Sequence, residues 1–333
     1  MKKTELLKLA WDRYGRYALT ASFIEKTRFK RPLRILDVGG GQEDYLSMFL
    51  PSDKIIVLDK EKTDLPNHIV GNALNMPFKD GEYDVVVSED VLEHIPEKSK
   101  LHFLNELFRV AKNYIIIAAP FYSKEVQKAE ERVNSFHQLL SGEKDKNLIE
   151  HKRYGLPKTE MVEAWLKNKK LAFFKISHNY LPFWEDLMRT TFLVRFNSTL
   201  YPLLEKLYIW YNKNVYPMDR AEPSYRKIYF ISKEGKAIDF LKEPDKKGLE
   251  GSDEKIKIYV AKILSQALKE KQAQIQEKEA QIQEKENQIR EIYRSYSWRI
   301  GHFIIKILFP FYQIFQKLIQ ALRKQDEEKN EKG

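Results

Sequence analysis

The chain has 333 residues, enough for one large domain or two smaller ones and ample for a buried core. Hydrophobic residues at 43%, aromatics at 13% and charged residues at 32% exclude an integral membrane protein and a wholly disordered chain. Cysteine is absent, which excludes disulfides, thiolate nucleophiles, iron–sulfur clusters and Cys-containing zinc sites, and fits a reducing, cytoplasmic setting. Lys plus Arg at 58 against Asp plus Glu at 48 gives a net +10, whose meaning depends on where the excess sits.

Met1-Lys2-Lys3 opens like a signal peptide, but Glu5, Lys8, Asp12 and Arg13 prevent an apolar core, so no export signal is read. Leu6, Leu7, Ala10, Tyr14 and Tyr17 recur at helical spacing and predict an amphipathic helix over 4–25, so that residues 1–30 form an N-terminal cap packed on the neighbouring domain. From 31 to 240 the texture is that of one α/β domain. Short β-branched runs at 35–38, 55–58, 85–88 and 114–119 alternate with helical patterns at 42–50 and 98–110, the second placing Leu101, Leu104, Leu107 and Phe108 on one face. Strands alternating with helices imply a doubly wound, mainly parallel sheet. Runs at 173–177 and 228–231 predict two further strands, which bracket a helical, aromatic-rich insertion at 179–223 broken at Pro182, Pro202 and Pro217.

Residues 241–260, polar and containing Pro244, Gly248 and Gly251, read as a linker. Over 261–295 lie three heptads, EKQAQIQ, EKEAQIQ and EKENQIR, with isoleucine at 275, 282 and 289. One filled apolar position per heptad fits either a weak coiled coil, made with a second copy or with a partner, or a solvated single helix acting as a spacer. The tail, 296–333, is basic and amphipathic. Between 290 and 324 seven Lys/Arg face one acid, Glu291, so this stretch supplies +6 of the +10. Lys306 and Pro310 interrupt the apolar run short of the ~20 residues a spanning helix needs. An in-plane helix on an anionic membrane face, over 296–324, fits aromatic content and charge sign; a helix docking on a protein partner is the alternative.

The chemistry concentrates in Arg34-Ile35-Leu36-Asp37-Val38-Gly39-Gly40-Gly41, a buried strand ending in an acid and running into three glycines before a helix. Such a turn lets backbone approach a ligand closely. A dinucleotide fingerprint wants a further glycine where Asp44 stands, and an acid there repels phosphate, whereas Asp37 suits a ligand carrying an amino group. Asp59, ending the second strand, offers its carboxylate to two ribose hydroxyls. With Gly71-Asn72-Ala73-Leu74-Asn75-Met76-Pro77-Phe78 and Tyr83-Asp84-Val85-Val86-Val87-Ser88-Glu89-Asp90-Val91-Leu92-Glu93-His94-Ile95-Pro96, residues 32–120 resemble the class I S-adenosylmethionine-dependent methyltransferases of the type 11 group, in order and spacing.

The resemblance implies a Rossmann-like fold with a mainly parallel seven-stranded sheet and S-adenosylmethionine as cofactor. It places Asp37, Gly39 and Gly41 at the methionine end, Asp59 on the ribose, Asn72, Ala73 and Met76 around the adenine, and Ser88 and Asp90 at the pocket's edge. Asn72 departs from the acid common at its position; an amide oxygen still accepts a hydrogen bond, without charge. Ala118-Ala119-Pro120-Phe121, the His151–Pro157 stretch, Asn179-Tyr180-Leu181-Pro182 and Glu222-Pro223-Ser224-Tyr225-Arg226 resemble a subgroup associated with surface-polysaccharide assembly, and Tyr296-Ser297-Trp298-Arg299 is similar to tails of glycosyltransferases in that setting.

The expected reaction is thus O-methylation of a saccharide or lipid-linked glycan at the inner face of the cell membrane, with a glycosyltransferase or a second copy met through 261–295. Methylation of RNA or another small molecule, and a scaffold without turnover, are the alternatives; the basic excess lies in an apolar tail rather than on an aromatic-interleaved face, so no nucleic acid partner is expected. A hydroxyl acceptor must lose a proton, and His94 and His151 are the catalytic candidates, each with a structural alternative in which it caps a loop or pairs with a carboxylate. Glu93 and Tyr154 suit orienting an acceptor hydroxyl, and His137 suits structure. The insertion's Tyr180, Phe183, Trp184, Phe192 and Phe196 suit either stacking on sugars or their own core. No His/Asp/Glu group has sequence spacing that argues for a metal.

Overall fold

The computed structural model describes residues 3–28, 32–235 and 252–330. The chain forms two units, divided between Ala267 and Leu268. In the first, the N-terminal segment is two helices, α1 (Lys3–Leu6) and α2 (Trp11–Thr27), not the single one expected. The sheet strands are β1 (Arg34–Val38), β2 (Lys54–Asp59), β3 (His68–Val70), β4 (Tyr83–Glu89), β5 (Ala111–Pro120), β6 (Ala172–Tyr180) and β7 (Ser224–Ser232). Between them run α3 (Tyr45–Phe49), α4 (Lys100–Val110), α5 (Lys124–Ser141), α6 (Lys146–Tyr154), α7 (Thr159–Asn168), α8 (Leu181–Arg195) and α9 (Tyr201–Asn214).

The seven strands form one sheet in the order β3-β2-β1-β4-β5-β7-β6, in which only β7 runs against its neighbours. This is the mainly parallel α/β sheet the sequence predicts. β4 is buried throughout and β1 beyond its first residue, as strands covered on both faces must be, which explains their unbroken β-branched runs. One face packs on α4 and α7 through Phe103, Leu104, Leu107, Val162 and Leu166; the other packs on α2 and α3 through Phe23, Ile24 and Leu46. In α4, Leu104 and Leu107 are buried as expected, but Leu101 is exposed and Phe103 takes the core position. The sequence order β1 to β2 on one side and β4 on the other makes the gap between β1 and β4 the switch point at which such sheets bind ligands.

The insertion between β6 and β7 is helical, as predicted, and Phe183, Trp184 and Phe192 are buried in its own cluster, with Trp184 stacked on Tyr225 at 3.9 Å between ring centroids. The expected linker over 241–260 is corrected in part. Residues 236–251 lie outside the described residues, but 252–260 begin the long helix α10 (Ser252–Arg294). Ile256 and Ile263 are buried and Tyr259 lies 5.4 Å from Trp210, so apolar residues at helical spacing dock these turns despite their polar composition.

In the second unit, Ile275, Ile282 and Ile289 lie exposed along α10. The helix α11 (Tyr296–Asn330) contains Pro310, and among the described residues no helix is long and apolar enough to cross a membrane. Phe303, Ile304, Ile307, Leu308, Phe311 and Phe315 are all exposed on α11, while Arg299, His302, Lys306, Gln313 and Lys317 recur at spacings of three, four or seven. That spacing sets a narrow polar stripe in a wide apolar surface.

Candidate functional site

The site is built at the carboxyl ends of β1, β2 and β4. Gly39 and Gly41 each have φ +77°, which side-chain-bearing residues rarely adopt. A Cβ on Gly39 would stand 2.2 Å from Val91 Cγ2, whereas one on Gly41 would meet nothing within 4 Å: the first is closed by packing, the second faces open space. Gly39 N–H donates to Leu58 O at 2.7 Å, and Asp59 Oδ2 and Oδ1 accept from Gly41 N–H and Glu61 N–H, both at 3.0 Å. The carboxylate proposed for the ribose therefore also holds the glycine turn, with lone pairs to spare on both oxygens.

Asp37 lies beneath that turn, 1% exposed, and neither of its oxygens has a hydrogen-bond partner among the described residues. Burial, followed by Glu89 and Asp44, raises its carboxyl well above the ordinary range. Ser88 is also buried with its hydroxyl unpartnered. An isolated buried acceptor is costly, and a cationic amino group satisfies it. The donor set therefore fits S-adenosylmethionine: the unpartnered Asp37 carboxylate for the ammonium, the open Gly41 turn for close approach and Asp59 for vicinal hydroxyls. Asp44 does not face a ligand; it caps α3, accepting from Ser47 N–H at 3.0 Å and from Asn67 Nδ2 at 2.5 Å.

Of the adenine candidates, Met76 is buried and its N–H donates to Glu106 Oε2 at 2.9 Å, while Ala73 packs against the core. Asn72 Oδ1 accepts from Leu74 N–H at 2.9 Å, so its amide closes its own turn and retains one acceptor lone pair. Asp90, expected at the pocket's edge, accepts from Arg226 Nε and Nη2 at 2.7 and 2.6 Å and lies 3.0 Å from Arg16 Nη1. Burial raises its carboxyl, but the two guanidiniums outweigh that and leave it below the usual range. Asp90 also takes a left-handed φ of 55°. Arg16, Thr20 and Glu89 were not singled out from sequence: Thr20 Oγ1 donates to Glu89 Oε1 at 2.5 Å, tying α2 to the end of β4. An arginine amid Tyr17, Leu19 and Ala21 on a helix was the available signal.

Past Asp90, a short 3₁₀ turn, Leu92–His94, brings Glu93 and His94 beside His151 of α6. The two imidazole centroids are 4.9 Å apart. His94 Nδ1 lies 2.8 Å from Glu150 Oε2, and His151 Nδ1 lies 2.7 Å from Glu130 Oε1. Burial, then His151, lowers the His94 imidazole despite Glu150; burial also acts on His151, but Glu130, Glu93 and Asp90 outweigh it and raise that imidazole. Glu93 is pushed up to about 8 by burial and then by Asp90. One ligand atom from each of Glu93, His94 and His151 lies within 4.8 Å of the others. The sequence spacing gave no metal-type group; the fold assembles one from residues 57 apart.

His151 also lines a solvent-open cleft of about 560 Å³ between α5 and α6, with Tyr122, Gln127, Glu130, Glu131, Asn134 and Lys152 among its walls. Tyr154 and His137 are half-buried; His137 has its Nδ1 2.8 Å from Glu143 O and its ring 4.6 Å from that of Phe192, and is not part of the cluster.

Residues 36–117 match the family described as a methyltransferase domain. Chloroplastic tocopherol O-methyltransferase of Arabidopsis thaliana is 27% identical over 200 residues, 51% of this chain and 53% of that protein. Norajmaline N-methyltransferase of Rauvolfia serpentina is 48% identical over 42 residues, 13% of this chain and 14% of that protein. The chain thus spans about half the length, or less, of these curated relatives. Among solved structures, magnesium protoporphyrin IX methyltransferase of Synechocystis PCC 6803 with bound SAM aligns at a TM-score of 0.39 and 12% identity, over 66% of this chain and 80% of that one. The stretch that matches the methyltransferase-domain family, residues 36–117, is the one that carries β1, β2, β4, the glycine turn and Asp59.

Proposed function

We propose that the protein is an S-adenosylmethionine-dependent methyltransferase that O-methylates a saccharide or lipid-linked glycan. The observation that carries the methyl-transfer reading is the buried, unpartnered Asp37 carboxylate beneath an open glycine turn at the sheet's switch point. S-adenosylmethionine supplies a methyl group already activated on a sulfonium, so this chain's residues have chiefly to position and desolvate. Asp37 holds the ammonium, Asp59 the ribose hydroxyls, Ala73 and Met76 the adenine, with Ser88 at the pocket's edge. Arg226 and Arg16 fix Asp90, and with it the turn that presents Glu93 and His94. The hydroxyl acceptor enters the cleft between α5 and α6, whose amide, carboxylate and ammonium side chains suit a polyol, and meets His151 in its wall, with the His94 ring 4.9 Å away between centroids.

The tail supports a membrane-proximal substrate. A wide apolar surface on α11 with a net +6 over 290–324 is the pattern of a helix lying on an anionic membrane face, and the isoleucine stripe of α10 offers a contact to a second copy or a glycosyltransferase. Cytoplasmic placement at the inner membrane face follows from the same reading. A second reading, O-methylation of a lipid-borne hydroxyl outside glycan assembly, is favoured by the likeness to a tocopherol O-methyltransferase.

The test pairs calorimetry with label transfer. Asp59→Ala is expected to weaken S-adenosylmethionine binding severely, and equal affinity in both proteins would remove the assigned pocket. With methyl-labelled cofactor and cell-envelope extract, label is expected in the glycan or glycolipid fraction; label in simple lipids supports the second reading, and label in tRNA alone overturns both.

A further inference from the structure

From the geometry of Glu93, His94 and His151 we infer a binding site for one divalent first-row transition-metal ion of the zinc class, with a fourth position left for an exogenous ligand. The binding of the ion stands apart from the methyl-transfer reading; its role toward an acceptor hydroxyl rests on it.

Four observations converge. Two imidazoles and one carboxylate form the ligand set of open, catalytic zinc sites, and imidazole selects zinc, cobalt, nickel or copper over magnesium or calcium. Each imidazole has its Nδ1 held by a carboxylate, Glu150 for His94 and Glu130 for His151, at 2.8 and 2.7 Å. That pairing fixes the tautomer that leaves Nε2 as the free ligand nitrogen, which is how metal-binding histidines are held. Glu93 is 1% exposed and its Oε2 has no hydrogen-bond partner among the described residues, so a buried acceptor stands unfilled beside the two rings. Finally, His151 and its partner Glu130 line the cleft, so solvent reaches one edge of the group. The ligand atoms lie within 4.8 Å of one another. Tetrahedral zinc with bonds of roughly 2.1 Å sets ligands about 3.4 Å apart, so loading draws them together by at most about 1.4 Å, within reach of side-chain adjustment.

Under the methyl-transfer reading, an acceptor hydroxyl in the open position has its oxygen on the ion. Its O–H bond is polarised there and releases its proton to water in the cleft at lower pH than a free alcohol does. His94 and His151 then act on the acceptor as ligands.

The experiment titrates Co²⁺, and Zn²⁺ in competition with a chromophoric chelator, into chelator-stripped full-length protein without cofactor. One equivalent with the visible ligand-field spectrum of a four-coordinate nitrogen–oxygen site is expected. His94→Gln and His151→Gln should each weaken binding at least a hundredfold. Glu130→Gln, which leaves all three ligands, should weaken it roughly 10- to 100-fold by releasing the His151 ring. His137→Gln should bind like the wild type. The wild-type spectrum and ¹⁵N-imidazole shifts decide the matter independently of whether a variant folds. Absence of saturable one-to-one uptake by the wild type, or a spectrum surviving in the His94→Gln/His151→Gln double variant, overturns the site. Calorimetry with S-adenosylmethionine on the same stripped protein keeps the two readings apart: ion uptake without cofactor binding sinks methyl transfer and leaves the metal site standing.

Discussion

Replacing Asp37 by Asn separates the cost of an unpaired buried carboxylate from its use. Asp37 is fully buried, has no hydrogen-bond partner for either oxygen, and carries a carboxyl raised well above its ordinary value by burial and then by Glu89 and Asp44. In the unfolded chain the same group ionises near ~3.9. Between those two pKa values the native state holds more protons than the unfolded state, so native stability falls as pH rises, by about 1.4 kcal/mol per pH unit. The penalty is absent below the unfolded pKa and constant above the folded one. Asparagine cannot ionise, so the ligand-free variant should lack this share of the slope and should exceed the wild type in stability at neutral pH. At roughly 2–4 °C per kcal/mol for a chain of this size, each pH unit of that interval is worth about 3–5 °C in Tm. Affinity should move the other way. A hydrogen bond between a carboxylate and an ammonium contributes about 1.5–3 kcal/mol, so the Kd for S-adenosylmethionine should rise roughly 10- to 150-fold. Thermal unfolding without cofactor between pH 4 and 8, with calorimetry on both proteins, measures the two effects. A variant with the wild-type pH profile and the wild-type affinity would refute the reasoning.

Gly39→Ala and Gly41→Ala should differ although both residues have φ +77°: Gly41→Ala meets open space and costs about 1–2 kcal/mol of backbone strain, whereas Gly39→Ala adds a collision with Val91 and should cost more than ~3 kcal/mol in urea unfolding. Equal costs would mean that Val91 yields freely. Arg226→Met leaves Asp90 with Arg16 alone and should destabilise by about 3 kcal/mol in urea unfolding, the low end for a broken buried pair; a loss below about 1 kcal/mol would refute the pairing's role. Deleting residues 294–333 should release the protein from anionic vesicles while leaving its affinity for S-adenosylmethionine intact, and unchanged partitioning in a flotation assay would transfer the tail's role to a protein partner.

What the sequence made legible and what it hid divide along one physical line. β1, β2, β4 and β5 stand out because strands covered on both faces need unbroken apolar runs, and Asp37, Gly39, Gly41 and Asp59 stand out because they end such runs. β3 offers three residues on the sheet's edge, half-buried or exposed, and leaves no run to find. The first turns of α10 were hidden by charged neighbours, since two buried isoleucines seven apart suffice to dock them. Arg226 and Asp90 are 136 residues apart, and His94 and His151 are 57 apart; only the topology makes each a pair, so local spacing carried no trace of the ion pair or of the metal-type group.

The acids at the ends of β1 and β4 show why these hidden contacts matter to the site. Asp37, Glu89, Asp90 and Glu93 are brought together with two guanidiniums, Arg16 and Arg226. Both arginines fall on the middle pair, Glu89 and Asp90, and Thr20 adds a hydroxyl to Glu89. Among the described residues Asp37 and Glu93 are buried with carboxylate oxygens that no hydrogen bond fills, as is Oε2 of Glu89, which has only Arg16 at 3.8 Å. A fold that merely tolerated acidic residues here would spread its cations over all four, because an uncompensated buried carboxylate costs several kcal/mol. The ion pairs concentrate on Asp90 and leave acceptors open on either side of this ion-paired hinge: Asp37 beneath the glycine turn, where the proposed function puts an ammonium, and Glu93 beside two imidazoles, where the inferred ion would sit. Local conflict of this kind is what a binding site looks like before its ligands arrive. If the proposed donor and acceptor sites are spaced by Asp90 and its arginines, Arg226→Lys, which keeps the charge and loses the bidentate fork, should lower kcat for methyl transfer while leaving both the cofactor Kd and the ion stoichiometry near wild type. A loss confined to either binding constant would show that the hinge serves one site and does not couple the two.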